Sequence, residues 1–137
     1  MDLKDYREFA EKARTAYFAT MDGDQPRVRP IGIWFIDENG FYFFTQTMKS
    51  FYKQLEAHQK VELCFMHENT VMRVTGEVER IDDMSLKERL MEERPFLKDV
   101  GIDKQAVYRL YKGEAFFWTM KDSRDEASIE RCKFNCS

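Results

Sequence analysis

RVRPIGIWFI, residues 27–36, is apolar and β-favouring over most of its length, yet it opens on two arginines and carries a proline and a glycine. In an extended chain the side chains alternate between faces. Arg27, Arg29, Ile31, Ile33 and Phe35 then share one side, and Val28, Pro30, Gly32, Trp34 and Ile36 the other. An arginine on an apolar face needs a partner, because a buried unpaired ion is costly. A phosphate suits the guanidinium fork best. Pro30 removes a ladder donor, and Gly32 leaves room for a flat ligand or another backbone to approach. Two readings stand side by side. Either this is an edge strand whose arginines reach back to water, or it runs beneath a phosphorylated ring.

Working outward, the spacing predicts a strand over residues 26–37, paired through the turn DENG with GFYFFTQT; Asn39-Gly40 is a strong hairpin signal. Upstream, TAYFATM reads as a strand, and Leu3, Tyr6, Ala10 and Ala13 mark a short amphipathic helix before it. Downstream, MKSFYKQLEAH reads as a helix of about three turns with Phe51, Leu55 and Met48 as candidates for one stripe. KVELCFM and VMRVTGEVERI form a second hairpin. DDMSLKERLMEER starts after an Asp suited to N-capping and stops at Pro95. AVYRLYK and EAFFWTM, separated by Gly113, read as the last two strands, and a polar tail begins near Lys121. About seven strands in hairpins, with twelve Phe and six Tyr, predict a mainly β fold, a closed or nearly closed β-barrel with peripheral helices.

The strand end FFTQTMKS leads into the first turn of the second helix, where Lys49 and Ser50 sit. Free backbone N–H groups and the helix dipole make such a position an anion site, and a lysine with hydroxyls adds charge and donors. The alternative is an ordinary helix start, capped by Thr47, with Lys49 in solvent. The turn is not Gly-rich, which excludes a Walker-type nucleotide loop.

The chain has 137 residues, enough for one domain with a real core, and is 43% hydrophobic and 34% charged. Its formal charge is −3 with no basic block, which excludes the electrostatic footprint of a nucleic-acid binder. No apolar run of spanning length and no leader is found, so no membrane partner is expected and the chain is read as cytoplasmic. Cys64 sits in an apolar alternation; Cys132 and Cys136 alone make no zinc site. Arg73 reads as a solvated strand residue or one that reaches an anion across a dimer. Asp82 and Asp83 read as a helix start, and His67 as a residue near a hairpin turn.

The order YFAT, DG, QPRVRPIG, DENGFYFFT, KSFYKQL and KVEL resembles the pyridoxamine 5′-phosphate oxidase-related family. It is most similar to the small FMN-binding split-barrel branch that includes the NimC/NimA-type nitroimidazole reductases. The resemblance covers residues 16–120, nearly the whole of a single domain over residues 1–137. It implies an FMN-binding split barrel and a homodimer with cofactor sites at the interface. By the same resemblance Arg29 approaches the phosphate or ribityl chain, and main-chain groups of Pro30 and Ile31 face the ring. Phe44 and Thr45 match the family's aromatic-Thr pair. Lys49 matches the phosphate-binding basic residue, with Ser50 beside it, and Trp118 in FFWT matches a flavin-contacting tryptophan. The function implied is NAD(P)H-dependent reduction of a small-molecule electron acceptor such as a nitroaromatic; no catalytic side chain is identified. Split barrels that hold flavin, haem or a deazaflavin without catalysis are the alternative. The B6 oxidases carry an Arg-x-His motif after this tryptophan. Here the stretch is TMKDSRDEASIERCKF, without a histidine.

Overall fold

The computed structural model describes residues 3–137, apart from the side chains of Leu3 and Ser123. The Leu3 end of the expected helical stripe therefore lies outside the described residues. Helix α1 (Leu3–Ala13) buries Tyr6 and Ala10 and leaves Lys4, Glu8, Glu11 and Lys12 exposed, as the spacing requires. Strands β1 (Thr15–Asp22) and β2 (Gln25–Gly32) form the first hairpin, and β3 (Phe35–Asp37) and β4 (Gly40–Gln46) the second. Helix α2 (Ser50–Ala57) follows, shorter than expected and beginning after Met48, which is exposed and off the stripe; then comes the hairpin β5 (Lys60–His67) and β6 (Thr70–Arg80). Helix α3 (Met84–Glu93) and two 3₁₀ turns lead to β7 (Gln105–Trp118), and β8 (Cys132–Asn135) closes the order.

The strands make one antiparallel sheet in the order β2-β1-β5-β6-β7-β4-β3, with β8 also on β7. The expected single strand over residues 26–37 is two strands, β2 and β3, at opposite edges of that sheet. Two residues, Ile33 and Trp34, carry the chain from one edge to the other. Ile33 N–H donates to Arg14 O at 3.0 Å and Trp34 N–H to Tyr42 O at 2.8 Å, so neither belongs to the β1–β2 ladder. The sheet thus curls until its edges meet through the covalent chain but not through a ladder. This is a barrel with a split.

The expected break at Gly113 is absent: β7 is a single strand of 14 residues. A Cβ on Gly113 would overlap the Thr75 carbonyl oxygen and come 2.7 Å from the Gly76 Cα. The glycine permits close approach of β6 and β7 next to the irregularity between Glu77 and Val78, and does not mark a turn. The expected polar tail is also ordered. Cys132, Phe134 and Cys136 alternate toward the core, and Phe134 is buried. β8 thereby continues along β7 on the side that β4 occupies farther back.

The register defines two faces. Arg29, Phe18, Leu63, Val74 and Ala115 lie side by side across five strands and point inward. Pro30, Tyr17, Cys64, Arg73 and Phe116 form the adjacent row on the outside. The inner face holds the main core, with Phe18, Phe41, Phe43, Phe65 and Tyr108. A second cluster packs α3 through Leu90 against Trp34, Tyr42 and Val107. Asp83 caps α3, accepting from Ser85 N–H at 2.9 Å, as expected of an Asp at that position. No helix among the described residues is long and apolar enough to cross a membrane.

Candidate functional site

The two arginines of the opening stretch have different fates. Arg27, at the exposed end of β2, pairs with Asp22 at 3.2 Å across its own hairpin. Arg29 turns into the barrel mouth. Its Nη1 donates to Phe18 O at 3.1 Å and Thr20 Oγ1 at 2.6 Å, and its Nη2 donates to Gln54 Oε1 at 2.5 Å. The guanidinium carbon lies 4.7 Å from the centre of the Phe51 ring, in the first turn of α2. Every one of these partners is neutral. Among the described residues no carboxylate pairs with Arg29, and burial lowers its pKa from the ordinary value.

Helix α2 is held over this end of the barrel from both sides. Phe51 packs on Phe18 and Phe43 at 5.1 and 5.9 Å, and Leu55 is fully buried. Farther along, Tyr108 Oη donates to Glu56 Oε2 at 2.7 Å, and Arg80 pairs with the other Glu56 oxygen. Lys49 occupies the N-cap position without a side-chain cap, and both Lys49 and Ser50 are exposed. Thr47 is not the cap: its N–H donates to Lys104 O at 2.9 Å instead. The helix start therefore presents uncapped N–H groups beside a lysine and a serine. Thr45, buried on the inner face of β4, lies four residues before Lys49.

These residues fall into groups. Arg29 meets α2 through Phe51 and Gln54, Lys49 and Ser50 begin that helix, and Thr45 lies near the end of the strand that leads into it. Ile31 points inward onto the core, and Pro30 is exposed on the outer face. Phe44 alternates to the face opposite Thr45, where it meets Trp34 edge-on at 6.4 Å with Arg94 over its ring. Trp118 lies on the outer face with Val71, beside a cavity of about 590 Å³ that Met66, Asn69 and Met120 also line. Its buried Nε1 has no hydrogen-bond acceptor among the described residues. Within one chain the sheet separates Trp118 from Arg29.

Thr20 and Gln54 were not visible as site residues in the sequence. Thr20 Oγ1 donates to Gln54 Oε1 at 2.6 Å, across a separation of 34 residues. The signal was faint: Gln54 is a polar residue on the apolar stripe of Phe51 and Leu55. Arg73 is partly exposed but not free. It pairs with Glu62 at 3.2 Å and with Glu126, and lies over the Phe116 ring.

Eight strands wound into a barrel split at residues 33–34, with a helix closing one end over a half-buried arginine, define a split-barrel protein. Residues 3–127 match the sequence profile of the family described as pyridoxamine 5′-phosphate oxidase. The chain is similar to a NimC/NimA family protein from Clostridium acetobutylicum, at 33% identity over 96% of this chain and 93% of that one, with a TM-score of 0.78. It belongs to the pyridoxamine 5′-phosphate oxidase-related family, in the NimC/NimA branch. PhzG from Burkholderia lata 383, solved with tetrahydrophenazine-1-carboxylic acid, shares the fold at 15% identity over 97% and 90% of the two chains (TM-score 0.71). HutZ, the haem storage protein of Vibrio cholerae, does so at 14% identity over 87% and 95% (TM-score 0.64). No curated protein matches the chain.

Proposed function

We propose that the chain is an FMN-dependent oxidoreductase that takes electrons from NAD(P)H and delivers them to a small flat electrophile, a nitroaromatic or a quinone. The observation that carries this reading is Arg29, a half-buried cation fixed by neutral partners on β1 and α2. A phosphate is the natural counter-ion for such a group. Arg29 holds the phosphate, while Lys49, Ser50 and the uncapped N–H groups of α2 add charge and donors. Thr45 and the main chain of Pro30, Ile31 and Phe44 line the ring. A bound flavin supplies the redox chemistry, and the protein supplies position, electrostatics and exclusion of water.

The working unit is a homodimer with the cofactor sites at its interface. Tyr17, Val28 and Met66 are 50%, 69% and 54% exposed on the outer face of neighbouring strands, an apolar surface suited to a symmetric partner. The unpaired Nε1 of Trp118, on the same outer side, then finds an acceptor across the interface. Oxidation of pyridoxamine 5′-phosphate is not expected at a useful rate. The stretch after Trp118 has no histidine, and Arg131 is spent on Glu126 O, Ile129 O and the Phe116 ring.

The test is direct. Purified protein reconstituted with FMN should be yellow, release FMN on denaturation, bleach with NAD(P)H and recolour with an added nitroaromatic or quinone. Bleaching without recolouring by any acceptor marks a carrier. A Soret band on exposure to haem, with no flavin bound, overturns the reading in favour of haem.

A further inference from the structure

We infer that Gln54 sets the preference of the Arg29 site for a phosphorylated ligand, because it is an amide and not a carboxylate. The inference rests on the proposed phosphate at Arg29 and adds a residue that determines its specificity. Gln54 is buried on the inner stripe of α2, between Phe51 and Leu55. Its Oε1 accepts from Arg29 Nη2 at 2.5 Å and from Thr20 Oγ1 at 2.6 Å. Thr20 Oγ1 in turn accepts from Arg29 Nη1 at 2.6 Å, and Phe18 O takes a second Nη1 hydrogen at 3.1 Å. With Phe51 beneath the guanidinium, the cation is held along two edges and one face.

All of this geometry could be supplied by a glutamate, which has nearly the same shape. A carboxylate is also the better partner for a half-buried guanidinium, since charge-assisted bonds are the stronger ones. The amide therefore leaves the ligand-free protein less stable than it could be. What it preserves is the charge. An arginine already neutralised from within has little left for a dianion, and the carboxylate would repel one. A cavity of about 160 Å³ that Gln54 helps to line has Asp22 as its acidic residue, and Asp22 is held by Arg27. Thr20 and Gln54 thus orient Arg29 without discharging it. Both are positioning residues.

The opposing signs give the experiment. FMN and riboflavin are titrated into the wild type, Gln54→Glu and Gln54→Met by flavin fluorescence, and the ligand-free proteins are melted. In Gln54→Glu the preference for FMN over riboflavin should fall about tenfold to a hundredfold, the size of one charge-assisted contact. Its riboflavin affinity should hold, and its ligand-free melting temperature should stay level or rise. Gln54→Met, which keeps the cation, should retain the preference to within about fivefold. A wild type without preference for FMN sinks the phosphate reading itself. A wild type that prefers FMN, with Gln54→Glu equally selective, overturns only the role of Gln54. Equal collapse in both variants also overturns it, since geometry and not charge would then decide. If Gln54→Glu yields no soluble protein, loss of preference in Gln54→Met alone is the overturning result.

Discussion

Trp34 Nε1 donates to Glu93 Oε1 at 3.0 Å, which ties the residue that ends the barrel crossover to the last turn of α3. Arg89, one turn earlier, holds the other carboxylate oxygen at 2.6 Å and lies over the Trp34 ring at 5.1 Å. The indole bond, and after it the Arg89 bond, hold the Glu93 carboxyl below its ordinary pKa. A depressed carboxyl stabilises the fold above its unfolded-state pKa of about 4.3, and that contribution disappears as pH falls through the lower folded-state value. Glu93→Gln should therefore lose stability at neutral pH, by about 1 kcal/mol for a partly exposed pair. Its stability should also fall less steeply than the wild type's in acid. Urea unfolding at several pH values below 5 measures this, and parallel curves for the two proteins would refute it.

Two glycines should respond oppositely to alanine. Gly113→Ala drives a methyl into the β6 backbone and should cost about 3 kcal/mol or more, or prevent folding. Gly32→Ala meets nothing within 4 Å. Its stability should stay within about 0.5 kcal/mol of the wild type. If a ring passes over β2, the added methyl should still weaken FMN. Chemical denaturation and FMN titration of both variants separate the two effects; a stable Gly113→Ala would contradict the close-approach account.

Arg29 and Lys49 should not matter equally. Removing the half-buried cation by Arg29→Ala should weaken FMN about tenfold to a hundredfold and leave riboflavin nearly untouched. Lys49→Ala, at an exposed position screened by solvent, should cost about fivefold or less and fade with added salt. Thr45→Val should act in the same direction as Arg29→Ala and more weakly. Equal losses for FMN and riboflavin in Arg29→Ala would put the phosphate elsewhere.

Val28 tests the outer face. A charge at this strongly exposed apolar position should leave the protomer folded and break the dimer. Light scattering at micromolar concentration should give twice the chain mass of 16.5 kDa for wild type and the single mass for Val28→Glu. A wild type that is monomeric with FMN bound removes the interface altogether.

The parts legible in the sequence were those set by neighbours along the chain. Asp83 as a cap, a hairpin at DENG and the α1 stripe at Tyr6 and Ala10 are local arrangements, and each is found, although the turn residues are Glu38 and Asn39 and Gly40 already opens β4. The parts that were not legible depend on distant partners. Gly113 reads as a break until Thr75 is seen behind it. Residues 27–36 read as one strand because alternation says nothing about which neighbour each half will pair with. Phe134 lies in a segment of low hydrophobicity, although the alternation of Cys132, Phe134 and Cys136 was there to be noticed. At the site, the chemical tension of Arg29 was visible because a charge among apolar residues is unusual. Thr20 and Gln54 are commonplace singly, and acquire meaning only when folding brings them to one guanidinium.

The short crossover at Ile33 and Trp34 also bears on how the protein survives in a crowded solution. An open sheet ends in two rows of unsatisfied backbone groups, each a template on which another chain can add a strand. Here the two edge strands belong to a single continuous stretch, and the crossover between them is pinned by Arg14 O and Tyr42 O. One proteolytic cut between these two residues would sever that join and leave α2, through Phe51 on Phe18 and Phe43 and Gln54 on Arg29, as the bridge across the split. The peptide that shapes the barrel therefore also tethers its two edge strands, so that neither can swing away alone to receive another chain.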